Sequence, residues 1–103
     1  MVFTLIFDKV VVKQLKKAGR DAQLRVRLAK MFNDIENKGP NAGELIDSAI
    51  GLYEIRSMHP PIRIYFQSRT SSTEILIFEF EMKTSEQKQQ KTIDKLRSQR
   101  RRG

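Results

Sequence analysis

The sequence contains no cysteine, which removes thiol catalysis, zinc–thiolate sites and a disulfide framework together. Long hydrophobic runs are missing as well. The opening M-V-F-T-L-I-F-D holds only six largely apolar residues, Val2 to Phe7, without a basic segment before them. It reads as a strand, not as a signal peptide or a membrane span, so a cytoplasmic protein with no membrane partner is expected. Histidine is nearly absent too: His59 is the single one, and it stands beside Pro60 and Pro61, where a turn residue is the plain reading. No internal repeat is visible, and 103 residues are too few for two separate cores.

Positive charge is what the chain has in excess. Lys and Arg number 20 against 12 Asp and Glu, a formal net charge of +8. Neutralising phosphates with such residues releases condensed counterions, so a nucleic acid is one natural partner and an acidic protein another.

Hydrophobic periodicity divides the chain into elements. A strand over Val2–Phe7 is followed by Asp8 as helix cap and by a short amphipathic helix from Lys9 to Ala18 that Gly19 stops. Asp21 caps a second helix, in which Leu24, Leu28, Met31, Phe32 and Ile35 form one stripe and which Gly39-Pro40 ends. Asn41 to Ile50 reads as a connecting loop. Three strands then follow, Leu52–Ser57, Ile62–Gln67 and Glu74–Lys83, close enough together for an antiparallel meander. Thr84 and Gln87 have capping-box spacing before a third helix from Ser85 to about Arg97. Its only clear apolar anchors are Ile93 and Leu96, worth roughly 3–6 kcal/mol before entropy, so light docking is expected. The expected fold is α+β: two N-terminal helices on one face of a four-stranded, mainly antiparallel sheet, with a C-terminal helix. Residues 1–98 form its single domain and 99–103 a disordered basic tail.

Period-two alternation sorts the strand residues. Tyr53, Ile55, Ile62, Ile64, Phe66, Leu76, Phe78, Phe80 and Met82 fall on one face, which receives the helices. The other face collects Glu54, Arg56, Arg63, Tyr65, Glu79, Glu81 and Lys83. One reading takes these as ordinary cross-strand pairs on a solvated face. The other takes them as phosphoryl-transfer equipment: cations for the charge developing on a phosphate, and carboxylates and a phenol to move protons.

The segments F-T-L-I-F-D-K-V-V-V-K-Q-L-K-K-A-G, G-L-Y-E-I-R, P-I-R-I-Y-F and I-L-I-F-E-F-E-M-K-T-S-E, in this order, resemble the RelE/ParE superfamily of toxins, and most of all its HigB-like, phage-derived branch. The resemblance spans nearly the whole chain. It implies a toxin of a type II toxin–antitoxin system, a ribosome-dependent mRNA interferase that needs no metal or cofactor. Such an enzyme cuts by 2′-hydroxyl attack, leaving a cyclic phosphate and a 5′-hydroxyl. The implied partners are a cognate antitoxin, the ribosome and mRNA, with operator DNA reached only through the antitoxin.

Family positions fall on Arg56, Arg63 and Lys83 as cations, with Lys88 as a further RNA contact, and on Glu54, where a family cation is replaced by a carboxylate. Many relatives carry a tyrosine or histidine near the C-terminus, and the last segment here has neither; Tyr65 or His59 would have to stand in. Glu54 and Glu81 are candidate bases, or else neutralise Arg56 and Lys83. A ParE-like inhibitor of DNA gyrase, or a toxin fold that survives only as a binding module, are the alternatives to the catalytic reading.

Overall fold

The computed structural model describes residues 2–68, 72–82 and 86–101. Its elements are β1 (Thr4–Phe7), α1 (Lys9–Ala18), α2 (Ala22–Lys38), a 3₁₀ turn (Gly39–Ala42), β2 (Glu44–Asp47), β3 (Leu52–Met58), β4 (Pro61–Ser68), β5 (Glu74–Met82) and α3 (Glu86–Arg101).

The helix boundaries follow local chemistry. Asp8 accepts a hydrogen bond from the Val10 amide at 3.0 Å, and Asp21 accepts one from the Leu24 amide at 3.2 Å, so each caps its helix. Gly39 ends α2 at φ +58°, a conformation that suits glycine. A side chain there would also collide with the ring of Phe3. Leu24, Leu28, Met31 and Ile35 of α2 are buried, as their spacing requires.

The sheet has five strands in the order β1-β5-β4-β3-β2, not four. β1 pairs parallel with β5 along one edge, and every other pairing is antiparallel. The additional strand, β2, lies inside the segment read as a loop. It is four residues long and bulged between Leu45 and Asp47, too short and irregular to show an alternating pattern.

α1 and α2 cover one face of the sheet. Val11, Ala18, Leu24, Leu28, Met31 and Ile35 pack there against Ile62, Ile64, Phe66, Ile75, Ile77 and Phe80. Gln14 of α1 fastens this layer to β5, since its side chain both donates to the Phe80 carbonyl and accepts from the Phe80 amide. Tyr53 stacks on Phe66 with ring centroids 5.5 Å apart.

A bulge in β5 corrects the expected assignment of faces. Tyr65 pairs with Glu79, but the next residue, Phe66, pairs with Ile77, so Phe78 is an extra residue in the ladder. Before the bulge the alternation is inverted. Ile75 and Ile77, not Leu76 and Phe78, therefore join the α1/α2 core, while Phe78 packs on the opposite side with Leu76 beside it.

That opposite side is not open to solvent, contrary to the expected polar face: α3 lies across it. Ile93 and Leu96 pack with Leu52, Tyr65 and Phe78 in a second core. The helix also runs to Arg101, four residues past the expected end at Arg97, through positions assigned to a disordered tail. Residues 102 and 103 lie outside the described residues, as do Thr84 of the expected capping box and Lys83. No helix among the described residues is long and apolar enough to cross a membrane.

Candidate functional site

Leu52, Glu54 and Arg56 alternate along β3, and Arg63 and Tyr65 along β4, onto the α3 side of the sheet. The register places Glu54 opposite Tyr65 and Arg56 opposite Arg63. On the other flank of β4, Arg63 lies opposite Glu81 and Tyr65 opposite Glu79. The strands thus bring together five of the expected site residues: Glu54, Arg56, Arg63, Tyr65 and Glu81.

They divide into two groups by exposure. Tyr65, Glu54 and Glu81 are 0%, 3% and 4% exposed, buried under α3. The Tyr65 hydroxyl donates to Glu81 Oε2 at 3.1 Å, and Thr92 of α3 donates to Glu81 Oε1. Gln89 of α3 donates to Glu54 Oε2 at 2.6 Å. Burial, with the nearby carboxylates of Glu81 and then Glu54, drives the Tyr65 hydroxyl well above its ordinary pKa, so it remains a hydrogen-bond donor. With α3 docked, these three groups satisfy one another and the helix, and none of them can touch a substrate.

Arg56 is exposed and Arg63 half-buried. Like charges directly opposite on neighbouring strands repel, so this juxtaposition costs free energy unless an anion relieves it. Glu81 supplies part of that relief to Arg63 from within the fold. The exposed guanidinium of Arg56 faces solvent, where a phosphate can be gripped by a planar fork of donors.

The polar anchors of α3 correct the expectation of light docking. Lys95 Nζ lies 2.6 Å from Glu79 Oε2, and Arg97 Nε lies 2.6 Å from Asp47 Oδ2 on β2. The Asp47 carboxyl is held below its ordinary pKa, chiefly by the Arg97 hydrogen bond, with burial opposing. Sequence reasoning missed Gln89, Thr92, Lys95, Arg97 and Asp47. A signal existed: Gln89, Thr92, Ile93 and Leu96 share one helical face, and a polar residue there must meet a polar partner.

Of the remaining expected residues, Lys88 falls near the start of α3, and Lys83 lies outside the described residues. His59 stands at the β3–β4 turn, remote from the Tyr65–Glu81 pair but facing α2 across a groove of about 800 Å³. Among the described residues no group of three histidines or acids is arranged to hold a metal.

By sequence the chain matches no family model and no curated relative. By structure it is similar to a variant of the E. coli toxin RelE in the free state, with TM-score 0.69 at 14% identity over 92% of this chain and 98% of that one. The isolated E. coli RelE toxin gives TM-score 0.66 at 16% identity, covering 91% and 98% of the two chains. A chain of the intact E. coli RelBE toxin–antitoxin complex gives 0.64 at 17%, covering 81% and 99%. The architecture of this protein is therefore the RelE-like α+β fold, with a five-stranded mixed sheet.

Proposed function

We propose that this chain is the toxin of a toxin–antitoxin pair and acts on messenger RNA at the ribosome, in the manner of RelE. The carrying observation is the opposed pair Arg56 and Arg63 on the central strands of a RelE-like sheet. In this reading the 2′-hydroxyl of the RNA gives its proton to water as its oxygen attacks the neighbouring phosphorus, and the 5′-oxygen leaves and takes a proton from water, giving a 2′,3′-cyclic phosphate and a 5′-hydroxyl. The two guanidinium groups, with Lys83 as the third cation of this reading, stabilise the charge that accumulates on the non-bridging oxygens. A cognate antitoxin partner is supported by the fold likeness to the RelBE complex. The motif resemblance supports the narrower reading of a HigB-like toxin that acts in the cytoplasm.

Removing one preorganised donor to a developing oxyanion slows such reactions by roughly 10²–10³-fold, and Arg63→Ala is expected to do so. The measurement is single-turnover cleavage of ribosome-bound messenger at saturating ribosome. Arg63 is half-buried opposite Glu81, so thermal melts accompany it, and Arg56→Ala serves as the exposed counterpart with a stability change within about 0.5 kcal/mol. Wild-type rates in both folded variants would sink the assignment.

A second reading, a RelE-fold binding module without catalysis, is favoured by the burial of Glu54, Tyr65 and Glu81, which leaves those proton-transfer candidates covered. Intact messenger with tight ribosome binding by the wild-type chain would establish it.

A further inference from the structure

The hairpin that carries Arg56 and Arg63 has a second basic feature at its tip. His59 and Pro60 form one wall of the groove there, and α2 forms the other with Gln23, Val26, Arg27 and Lys30. Gln23, Val26 and Lys30 are exposed, while Arg27 flanks the buried stripe of Leu24, Leu28, Met31 and Ile35 and is half-buried. Val26 is 67% exposed, so it contributes nothing to the core, and Met58 beside the turn is 70% exposed. No acidic residue stands among the described residues that line the groove. It thus offers two long cations and an imidazole beside an apolar floor made by a valine and a proline.

Position gives this groove its meaning. Arg56 precedes His59 by three residues and Arg63 follows Pro60 by three, so at a strand rise of about 3.3 Å per residue each arginine lies roughly 10 Å along the chain from the groove. A single strand gripped at Arg56 and Arg63 on the α3 side needs only to round the hairpin tip to enter it. We infer that the groove between α2 and the β3–β4 turn is an RNA subsite, which holds the single-stranded segment flanking the phosphate bound by Arg56 and Arg63. Arg27 and Lys30 take backbone phosphates, while a base or ribose lies against Val26, His59 and Pro60. An acidic protein segment meets the same charge but poorer chemistry. The described lining holds no Phe, Tyr or Trp and no long aliphatic side chain to anchor such a segment, whereas the groove sits at the tip of the same hairpin that carries the arginine pair.

The inference rests on the RNA reading of the Arg56–Arg63 face, and the test separates the two. The probe is a short, dye-labelled 2′-O-methyl oligouridine, which resists cleavage, titrated with the full chain at several salt concentrations. Each single-strand phosphate contact contributes about 0.7 to the slope of log affinity against log salt. R27A/K30A is therefore expected to reduce the slope by about 1.4 and weaken binding by roughly 10- to 30-fold at 0.1 M salt. K13A/K16A, which removes the same charge from exposed positions of α1, is expected to change the slope much less. A 4-thiouridine version of the oligomer is expected to crosslink at the His59–Val26 groove and to lose that crosslink in H59A.

If R27A/K30A keeps the wild-type affinity and slope while R56A/R63A loses both, the groove is not a subsite and the function reading stands. If R27A/K30A and K13A/K16A weaken binding equally, the effect is diffuse charge and the subsite is overturned. If the wild-type chain fails to bind the oligomer at all, the subsite is overturned, while the function reading is decided separately by cleavage of ribosome-bound messenger.

Discussion

The two faces of the sheet are packed by different physics. Against α1 and α2 the sheet presents Ile62, Ile64, Phe66, Ile75, Ile77 and Phe80, and the contact is largely apolar. Against α3 it presents a smaller apolar set, Leu52, Tyr65 and Phe78, beside carboxylates that receive donors from the helix: Glu54 from Gln89, Glu81 from Thr92, Glu79 from Lys95 and, at the edge, Asp47 from Arg97. Apolar packing is indifferent to direction and hard to undo locally. A polar interface depends on each partner, because a buried acceptor left alone carries its full desolvation cost. One layer is therefore the scaffold, and the other is a cover whose attachment can be weakened one contact at a time.

Truncation in the scaffold layer is expected to give the largest change. Phe66 is fully buried, stacks on Tyr53 and touches the core under both helices. Phe66→Ala leaves a cavity that the surrounding β-strands cannot close, at a cost of about 3–5 kcal/mol, and it is expected to lower the stability of the whole chain. Chemical denaturation followed by circular dichroism measures this. A loss confined to α3, with the sheet unaffected, would show that the two layers are not distinct.

Part of this contrast was legible in the sequence and part was not. The boundaries of α1 and α2 follow from caps and a 3.6-residue stripe, which are local signals, and the common face of Arg56 and Arg63 follows from the strand period, whereas their direct opposition is set by the register of the pairing. β2 and the bulge at Phe78 were not legible, because each is decided by pairing with residues elsewhere in the chain. The cover over Glu54, Tyr65 and Glu81 was hidden for a related reason. α3 reaches partners up to 50 positions away, and its polar residues resemble those of a solvated helix until the carboxylates they meet are placed. His59 read as a turn residue, and it is one; what α2 sets opposite it is non-local.

On the cover side, Tyr65 sharpens the comparison at an intermediate size. It is fully buried and donates its hydroxyl to Glu81. Tyr65→Phe keeps the ring among Leu52, Phe78 and Ile93 and removes one donor from a buried carboxylate, at a cost of about 1–3 kcal/mol. Faster hydrogen exchange is expected in α3, with the amides of α2 little changed. Cleavage of ribosome-bound messenger is expected to continue near the wild-type rate, because the phenol faces the helix and not the substrate. A hundredfold loss of cleavage in a chain whose α3 remains protected would make Tyr65 a catalytic group.

The smallest expected effect concerns the edge of the cover, where acid should act on one layer first. Asp47 on β2 accepts from Arg97 Nε at 2.6 Å and from the Ala49 amide at 2.9 Å. The Arg97 hydrogen bond is the main cause of the lowered Asp47 pKa, the desolvation of the carboxyl opposes it, and the Ala49 amide lowers it further. A carboxylate whose pKa is depressed by folding stabilises the fold above its unfolded value, and that contribution disappears as pH falls through the folded value. The ordinary value is 3.8, so the attachment of α3 through Arg97 is expected to be complete at neutral pH and to weaken only below about pH 4. Other carboxylates titrate in the same range, so the informative quantity is the difference between the wild-type chain and Asp47→Asn. In the variant, exchange protection around Arg97 is expected to be lower at pH 7 and to vary less as pH falls towards 3. The gap between the two proteins should also narrow in 1 M salt, where the Debye length of about 3 Å screens an ion pair with a partly exposed guanidinium. Parallel acid profiles for the two proteins, with the same protection at neutral pH, would show that Arg97 holds α3 without Asp47.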